Sequence, residues 1–210
     1  MNLPPAVIVL AAGRGSRFLG LDHKLAQSLG ASTVLGTTLR HATQCGLPVV
    51  VVTTAAFAKI ASQSVAASDL VVLPEVGASG HGSLGMGYSI AAGVSARSNA
   101  SGWVILPGDM PLIESATIRA VADQLSQHPI AYAQHKGRRG HPVGFSSELY
   151  SELVNLSGDE GARRLIARYP AFGLEVGDAG VLVDVDTEAD LASVRGTQPA
   201  ASAGAASVSS

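Results

Sequence analysis

The sequence predicts an α/β protein: a doubly wound, mostly parallel sheet with helices on both faces. Three observations carry that expectation. Runs of β-branched and aliphatic residues recur along the chain, most of them continuous, as strands covered on both faces require. Helix-like segments separate them, so strand and helix alternate as in βαβ units. With 210 residues, 47% of them hydrophobic and 14% charged, the chain has apolar mass for one domain of ordinary size.

Taken in order, the strands are "VIVLA" (7–11), "VVVVTT" (49–54), "LVVLP" (70–74), "WVILP" (103–107), "IAYAQ" (130–134), "PVGF" (142–145) and "VLVDV" (181–185). The apolar run at 6–12 reads as the first strand and not as a signal peptide, because no Lys or Arg precedes it and it is short for an h-region. It is also far below the ~20 residues of a membrane helix. In "SATIRAVADQLSQH", Ile118, Val121, Ala122 and Leu125 fall on one helical stripe. Thr187 and Asp190 have capping-box spacing and announce the last helix. "GDEGARRLI" reads as another helix start, with Asp159 and Glu160 complementing the dipole. Residues 1–195 form the expected domain, and the Gly/Ala/Ser-rich 196–210 an expected disordered tail.

Bulk charge excludes some partners. A formal net charge of -2 gives no global basic field, so nucleic acid is not an expected main partner and any anion must be gripped locally. The single cysteine, Cys45, permits no internal disulfide and fits a reducing cytoplasm; its place at the end of an apolar helix makes it a packing residue.

The first strand ends in Gly13-Arg14-Gly15-Ser16-Arg17. Glycine lets backbone N–H groups approach an anion closely, and two guanidiniums suit phosphate oxygens. Lys24 follows as a point charge. The loop is neither a Walker A motif nor a dinucleotide fingerprint, and on its own it reads equally as a basic surface turn. Asp109 comes directly after "WVILPG", at the ligand end of the sheet, although a turn aspartate fits "GDMP" as well. Asp184 and Asp186 lie at the end of "VLVDV" and beyond; alternation sends them to one side of an extended segment, where either can meet Asp109.

These motifs together resemble the MobA-like nucleotidyltransferases, nearest the molybdenum cofactor cytidylyltransferase branch. The likeness extends over most of residues 6–195: "VIVLAAGRGSRF" with Lys24 resembles the signature loop, "STVLGTTLRHA" the next helix, "GSLGMGYSIAAGV" the glycine-bearing helix start, and "LPGDMPLI" the L-x-D-x-P motif. "RRGHPVGF", "SGDEGARRLI" and "VDVDTEADL" follow in the family's order.

The resemblance implies a Rossmann-like nucleotidyltransferase fold and a Mg²⁺-dependent transfer of CMP from CTP to molybdopterin, with release of pyrophosphate. It puts Arg17 and Lys24 on the phosphates, with Arg14 and Gly15 in the same loop. It puts Leu10, Ala11, Ala12 and Gly13 beside base and ribose, and Ser89 near the base. Asp109 and Asp186 would hold the metal, with Asp184 in reserve. His141, beside Arg138 and Arg139, would face the second substrate and help orient or deprotonate the attacking phosphate; a hydrogen bond to a loop carbonyl is the plainer role for that histidine. Asp159 and Arg163 fall in a family motif, and Gly85 and Gly87 read equally as packing glycines. A client molybdoenzyme is a further implied partner. The sequence departs from the family in one place, where the span from Arg17 to Lys24 is about two residues longer than usual. Other NTPs, a sugar or polyol phosphate acceptor, or a cofactor-binding chaperone or reductase on the same fold remain alternative readings.

Overall fold

A computed structural model of the chain describes residues 3–13, 23–74 and 85–197. The elements run β1 (Ala6–Ala11), β2 (Ser28–Leu29), β3 (Ser32–Thr33), α1 (Val34–Gln44), β4 (Val49–Thr54), α2 (Ala55–Ala61), β5 (Leu70–Leu73) and α3 (Gly85–Ala96). They continue with β6 (Gly102–Pro107), α4 (Ser115–Asp123), β7 (Ile130–His135), β8 (Arg138–Ser146), α5 (Tyr150–Leu153), α6 (Arg163–Arg168), β9 (Ala171–Glu175) and α7 (Glu188–Thr197). Short 3-10 turns include Lys24–Ala26 and Ala179–Leu182.

Seven strands form one sheet in the order β5-β4-β1-β6-β8-β7-β9. Only β8 runs against the rest: β1, β4, β5 and β6 pair in parallel, β8 is antiparallel to both β6 and β7, and β9 is parallel to β7. Strand side chains alternate between two buried faces. Val7, Val9, Val51, Val104 and Leu106 meet Leu35 and Leu39 of α1, Phe57 of α2 and Ile118 and Val121 of α4. Ile8, Val50, Val52, Trp103 and Ile105 meet Ile90 and Val94 of α3, Leu153 of α5 and Leu165 of α6. A sheet so covered is the expected doubly wound fold.

The chain order places β4 on one side of β1 and β6 on the other, which makes the β1/β6 junction the point where winding reverses. The two strand ends close on each other there, since the Gly108 N–H donates to the Leu10 carbonyl at 2.8 Å. A Cβ at Gly108 would come within 3.0 Å of that carbonyl oxygen and 3.1 Å of Leu35 Cδ1, so a larger residue would push its neighbours aside by a few tenths of an ångström.

Several expectations need correction. "VLVDV" is not a strand: residues 179–182 form a 3-10 turn and the chain then runs extended outside the sheet. Asp178 explains the turn, because its carboxylate accepts from Gly180 N–H at 2.8 Å and from Glu114 N–H at 2.9 Å, pinning the segment beside α4. The edge is taken instead by β9, "AFGLE", whose weak alternation hides it in the sequence. "PVGF" extends back to Arg138, and β7 and β8 join as a hairpin through Lys136 and Gly137, both at positive φ. Asp159 and Glu160 precede α6 without entering its first turn. The capping box at α7 is as expected, with Asp190 N–H donating to Thr187 Oγ1 and Thr187 N–H to Asp190 Oδ2. Cys45 is the buried C-cap residue of α1. α7 reaches Thr197, and the expected tail from 198 onward lies outside the described residues.

Candidate active site

Lys24, Asp109 and Asp186, from three distant parts of the chain, converge at the carboxyl end of the sheet. The Lys24 ammonium donates to Asp109 Oδ2 at 2.5 Å and to Asp186 Oδ1 at 2.6 Å. The three side chains are 11%, 16% and 18% exposed. Charges at that depth are screened far less than surface pairs, so the cluster is strongly coupled.

Each partner is held by its own local chemistry. Asp109 leaves β6 two residues past Pro107, at the switch point. Asp186 is brought to it by the backbone: Val185 N–H donates to the Asp109 carbonyl at 2.9 Å, while Asp186 N–H donates to Asp190 Oδ2 at 3.2 Å. A small satellite core fixes this segment, with Val185, Leu191 and Val194 buried against Leu29 and Val34. Lys24 begins its 3-10 turn behind His23. The His23 Nδ1 accepts from Leu25 N–H at 3.2 Å, which leaves Nε2 as the protonated nitrogen facing the Gly13 carbonyl at 3.1 Å. Its ring also packs on Phe57, with centroids 4.5 Å apart. Sequence reasoning missed His23, although its position directly before Lys24 in a lengthened loop is the signal that was there to read.

Burial by itself would lower the pKa of Lys24, but the charges and hydrogen bonds of Asp109 and Asp186 outweigh it and the pKa is raised, which keeps the ammonium protonated. Asp184 is exposed and makes no hydrogen bond to Lys24; desolvation raises its pKa, the Asp186 and Asp109 charges add to the rise, and Lys24 opposes it. His141 stands at the same end of the sheet, exposed, before a cis peptide to Pro142. Desolvation by the atoms around its ring lowers its pKa, outweighing the Asp109 carboxylate, and Arg139 adds to the lowering, so the neutral imidazole is favoured.

The other sequence-predicted residues divide. Leu10 and Ala11 end β1 beside Asp109's loop, where the Gly108 N–H meets the Leu10 carbonyl, and Ala12 and Gly13 follow directly. Arg14, Gly15 and Arg17 lie outside the described residues. Ser89 is 8% exposed, its hydroxyl donating to the Gly85 carbonyl of its own helix at 3.4 Å. Gly85 and Gly87 serve packing: a Cβ at either would strike the backbone of Ser157 and Gly158 at under 3 Å.

A divalent ion can be tested against the donors present. Among the described residues no group of three or more His, Cys, Asp or Glu side chains is gathered to hold a metal; the acidic donors come as the Asp109–Asp186 pair. Mg²⁺ takes one or two carboxylates and completes its shell with phosphate and water, so a pair suffices. Asp109 Oδ1 is buried without a hydrogen-bond partner among the described residues, a costly state for a carboxylate oxygen and one that a cation would relieve. The donors fit the ion.

The family model described as the MobA-like NTP transferase domain matches residues 7–172. The chain belongs to the MobA-like NTP transferase family. Asp184 and Asp186 lie beyond the matched span, and the contact of Asp186 with Lys24 is seen in the structure. Among solved structures, the MobA-like chain is similar to Rv0371c of Mycobacterium tuberculosis H37Rv, with a TM-score of 0.78 and 29% identity over 94% of this chain and all of that one. A manganese complex of Rv0371c gives 0.75 and 28%, again over 94% of this chain and all of the other. Among curated proteins, purine catabolism protein PucB of Bacillus subtilis is 34% identical over 116 residues, 53% of this chain and 56% of PucB, so the match spans about half of that relative. No helix among the described residues is long and apolar enough to cross a membrane.

Proposed function

We propose that this MobA-like protein transfers CMP from CTP to the phosphate of a molybdopterin-type acceptor and releases pyrophosphate. The convergence of Lys24, Asp109 and Asp186 beside the end of β1 carries the reading, because nucleotidyl transfer needs charge neutralisation and positioning and no covalent help from protein. An acceptor phosphate oxygen attacks the α-phosphorus as the bond to the β-phosphate oxygen breaks, and pyrophosphate departs.

In this reading Arg14, Gly15 and Arg17 hold the phosphates with Lys24, and residues 10–13 lie beside base and ribose. Asp109 and Asp186 are the residues that would hold Mg²⁺, with Asp184 as the outer carboxylate. When bound, the ion supplies charge for the oxygens that become more negative in transfer. His141, favoured as the neutral base, orients the acceptor phosphate or takes its proton, and Arg138 and Arg139 on the hairpin provide its counter-charge. Ser89 of α3, its hydroxyl on the Gly85 carbonyl, lies near the base in this reading.

CTP is preferred because the loop reads L-A-A-G, with Ala12 where the GTP-using branch tends to glycine. Incubation of the protein and Mg²⁺ with each NTP against molybdopterin-type, sugar phosphate and polyol phosphate acceptors tests both choices. CTP with the molybdopterin-type acceptor is expected to be the one combination releasing pyrophosphate. Equal release with GTP would sink the base assignment, and release with a sugar phosphate would sink the acceptor.

A further inference from the structure

Lys24 is the loop's expected phosphate ligand, yet its ammonium sits between two carboxylates that form the acidic half of the site. Two carboxylates facing one point repel unless a cation separates them. Asp109 Oδ1 still lacks a hydrogen-bond partner among the described residues. The site therefore keeps acceptor capacity for a cation even with Lys24 in place. Lysine is suited to leaving such a position, since its charge rides on a flexible four-carbon stem and makes no fixed bidentate fork.

We propose that Lys24 is a built-in counter-cation for Asp109 and Asp186, one that competes with the divalent ion until nucleotide phosphate draws the ammonium away. Metal and nucleotide then load as a unit. The inference rests on the metal assignment made above, and goes beyond it by giving one lysine two successive partners. An ammonium and a divalent ion cannot both be within bonding distance of the same two oxygens without strong repulsion. The ammonium therefore weakens metal binding to the free protein. Nucleotide reverses the effect, because its phosphates offer Lys24 an alternative anion and offer the metal additional oxygens.

The test is Mn²⁺ binding, measured by the electron paramagnetic resonance signal of the free ion, with and without a non-hydrolysable α,β-methylene analogue of CTP. Without nucleotide, Lys24→Met is expected to bind Mn²⁺ about tenfold more tightly than wild type, and Lys24→Arg, which keeps the charge, to stay near wild type. The analogue is expected to tighten Mn²⁺ binding by wild type far more than by Lys24→Met. Equal affinity of wild type and Lys24→Met, both lost on Asp109→Asn, would overturn the counter-cation role and leave the metal site standing. Mn²⁺ binding unchanged by Asp109→Asn would overturn both. Should Lys24→Met not fold, Lys24→Gln retains donors for the two carboxylates while removing the charge, and the same outcomes decide.

Discussion

On one side of β6 lie β1, β4 and β5, all parallel, with β1 and β4 covered on both faces and β5 at the edge; on the other, β8 turns back, β7 follows by a tight hairpin, and β9 ends the sheet with Phe172 exposed. The parallel half ends in the switch point and holds Asp109 against Lys24. The hairpin half carries Arg138, Arg139 and His141 at its tip, largely open to solvent. Arg139 lies over the ring of Tyr132, 4.6 Å from its centroid. One half spends its rigidity on a coupled charge cluster, and the other presents mobile-chain cations to whatever approaches. The proposed function assigns nucleotide and metal to the first half and acceptor to the second.

The largest break in that division is expected from Asp109→Asn. It removes one of two carboxylates and leaves Lys24 with one partner, so turnover should fall by at least about a hundredfold, with Mn²⁺ affinity falling in parallel. Wild-type turnover in a steady-state pyrophosphate assay would refute the assignment. Gly108→Val tests the rigidity of the same half: its added carbons meet the Leu10 carbonyl and Leu35, and overpacking there is expected to cost about 1–3 kcal/mol in a urea melt. An unchanged melt would show that the β1/β6 junction yields more easily than its contacts imply.

The hairpin half should respond differently. Arg139→Ala is expected to raise the KM for acceptor by about fivefold, the loss of one exposed charge-assisted contact, while the KM for NTP stays near wild type. An equal rise in both constants would erase the boundary between the halves. The smallest effect belongs to Asp184→Asn. Because the folded-state pKa of Asp184 lies above its ordinary value, ionisation is disfavoured in the native protein. Its stability cost is absent below the ordinary carboxylate range, grows as pH rises through the raised pKa and is full at neutral pH. Asp184→Asn should therefore melt slightly higher than wild type at pH 7 and equally at low pH, with the difference shrinking in salt because the residue is exposed. A lower melting temperature for the variant at pH 7 would contradict that sign.

The parallel half was legible in the sequence because strands buried on both faces must be continuous apolar runs, and "VVVVTT" is such a run from end to end. β9 was not, since an edge strand with exposed Phe172 and a central Gly173 carries no comparable pattern. "VLVDV" misled for the opposite reason: Val183 and Val185 pack with α7 and Val181 enters the main core, and none of them pairs in the sheet. Asp109 was readable from its strand-end position, and Lys24 and Asp186 from motif resemblance. Their shared hydrogen bonds were not readable, because 85 and 162 residues separate Lys24 from its partners and only the folded sheet closes those distances.

The bond from Val185 N–H to the Asp109 carbonyl also sets an order in time. On the ribosome, β1, β4, β5 and β6 all emerge well before Val185, so the parallel half can assemble while the second carboxylate is still unmade. Until that segment docks, Asp109 has no acidic neighbour from residue 186, and the charge cluster lacks one of its three side chains. Competence is thus deferred until a single stretch of backbone that lies outside the sheet has been made and docked.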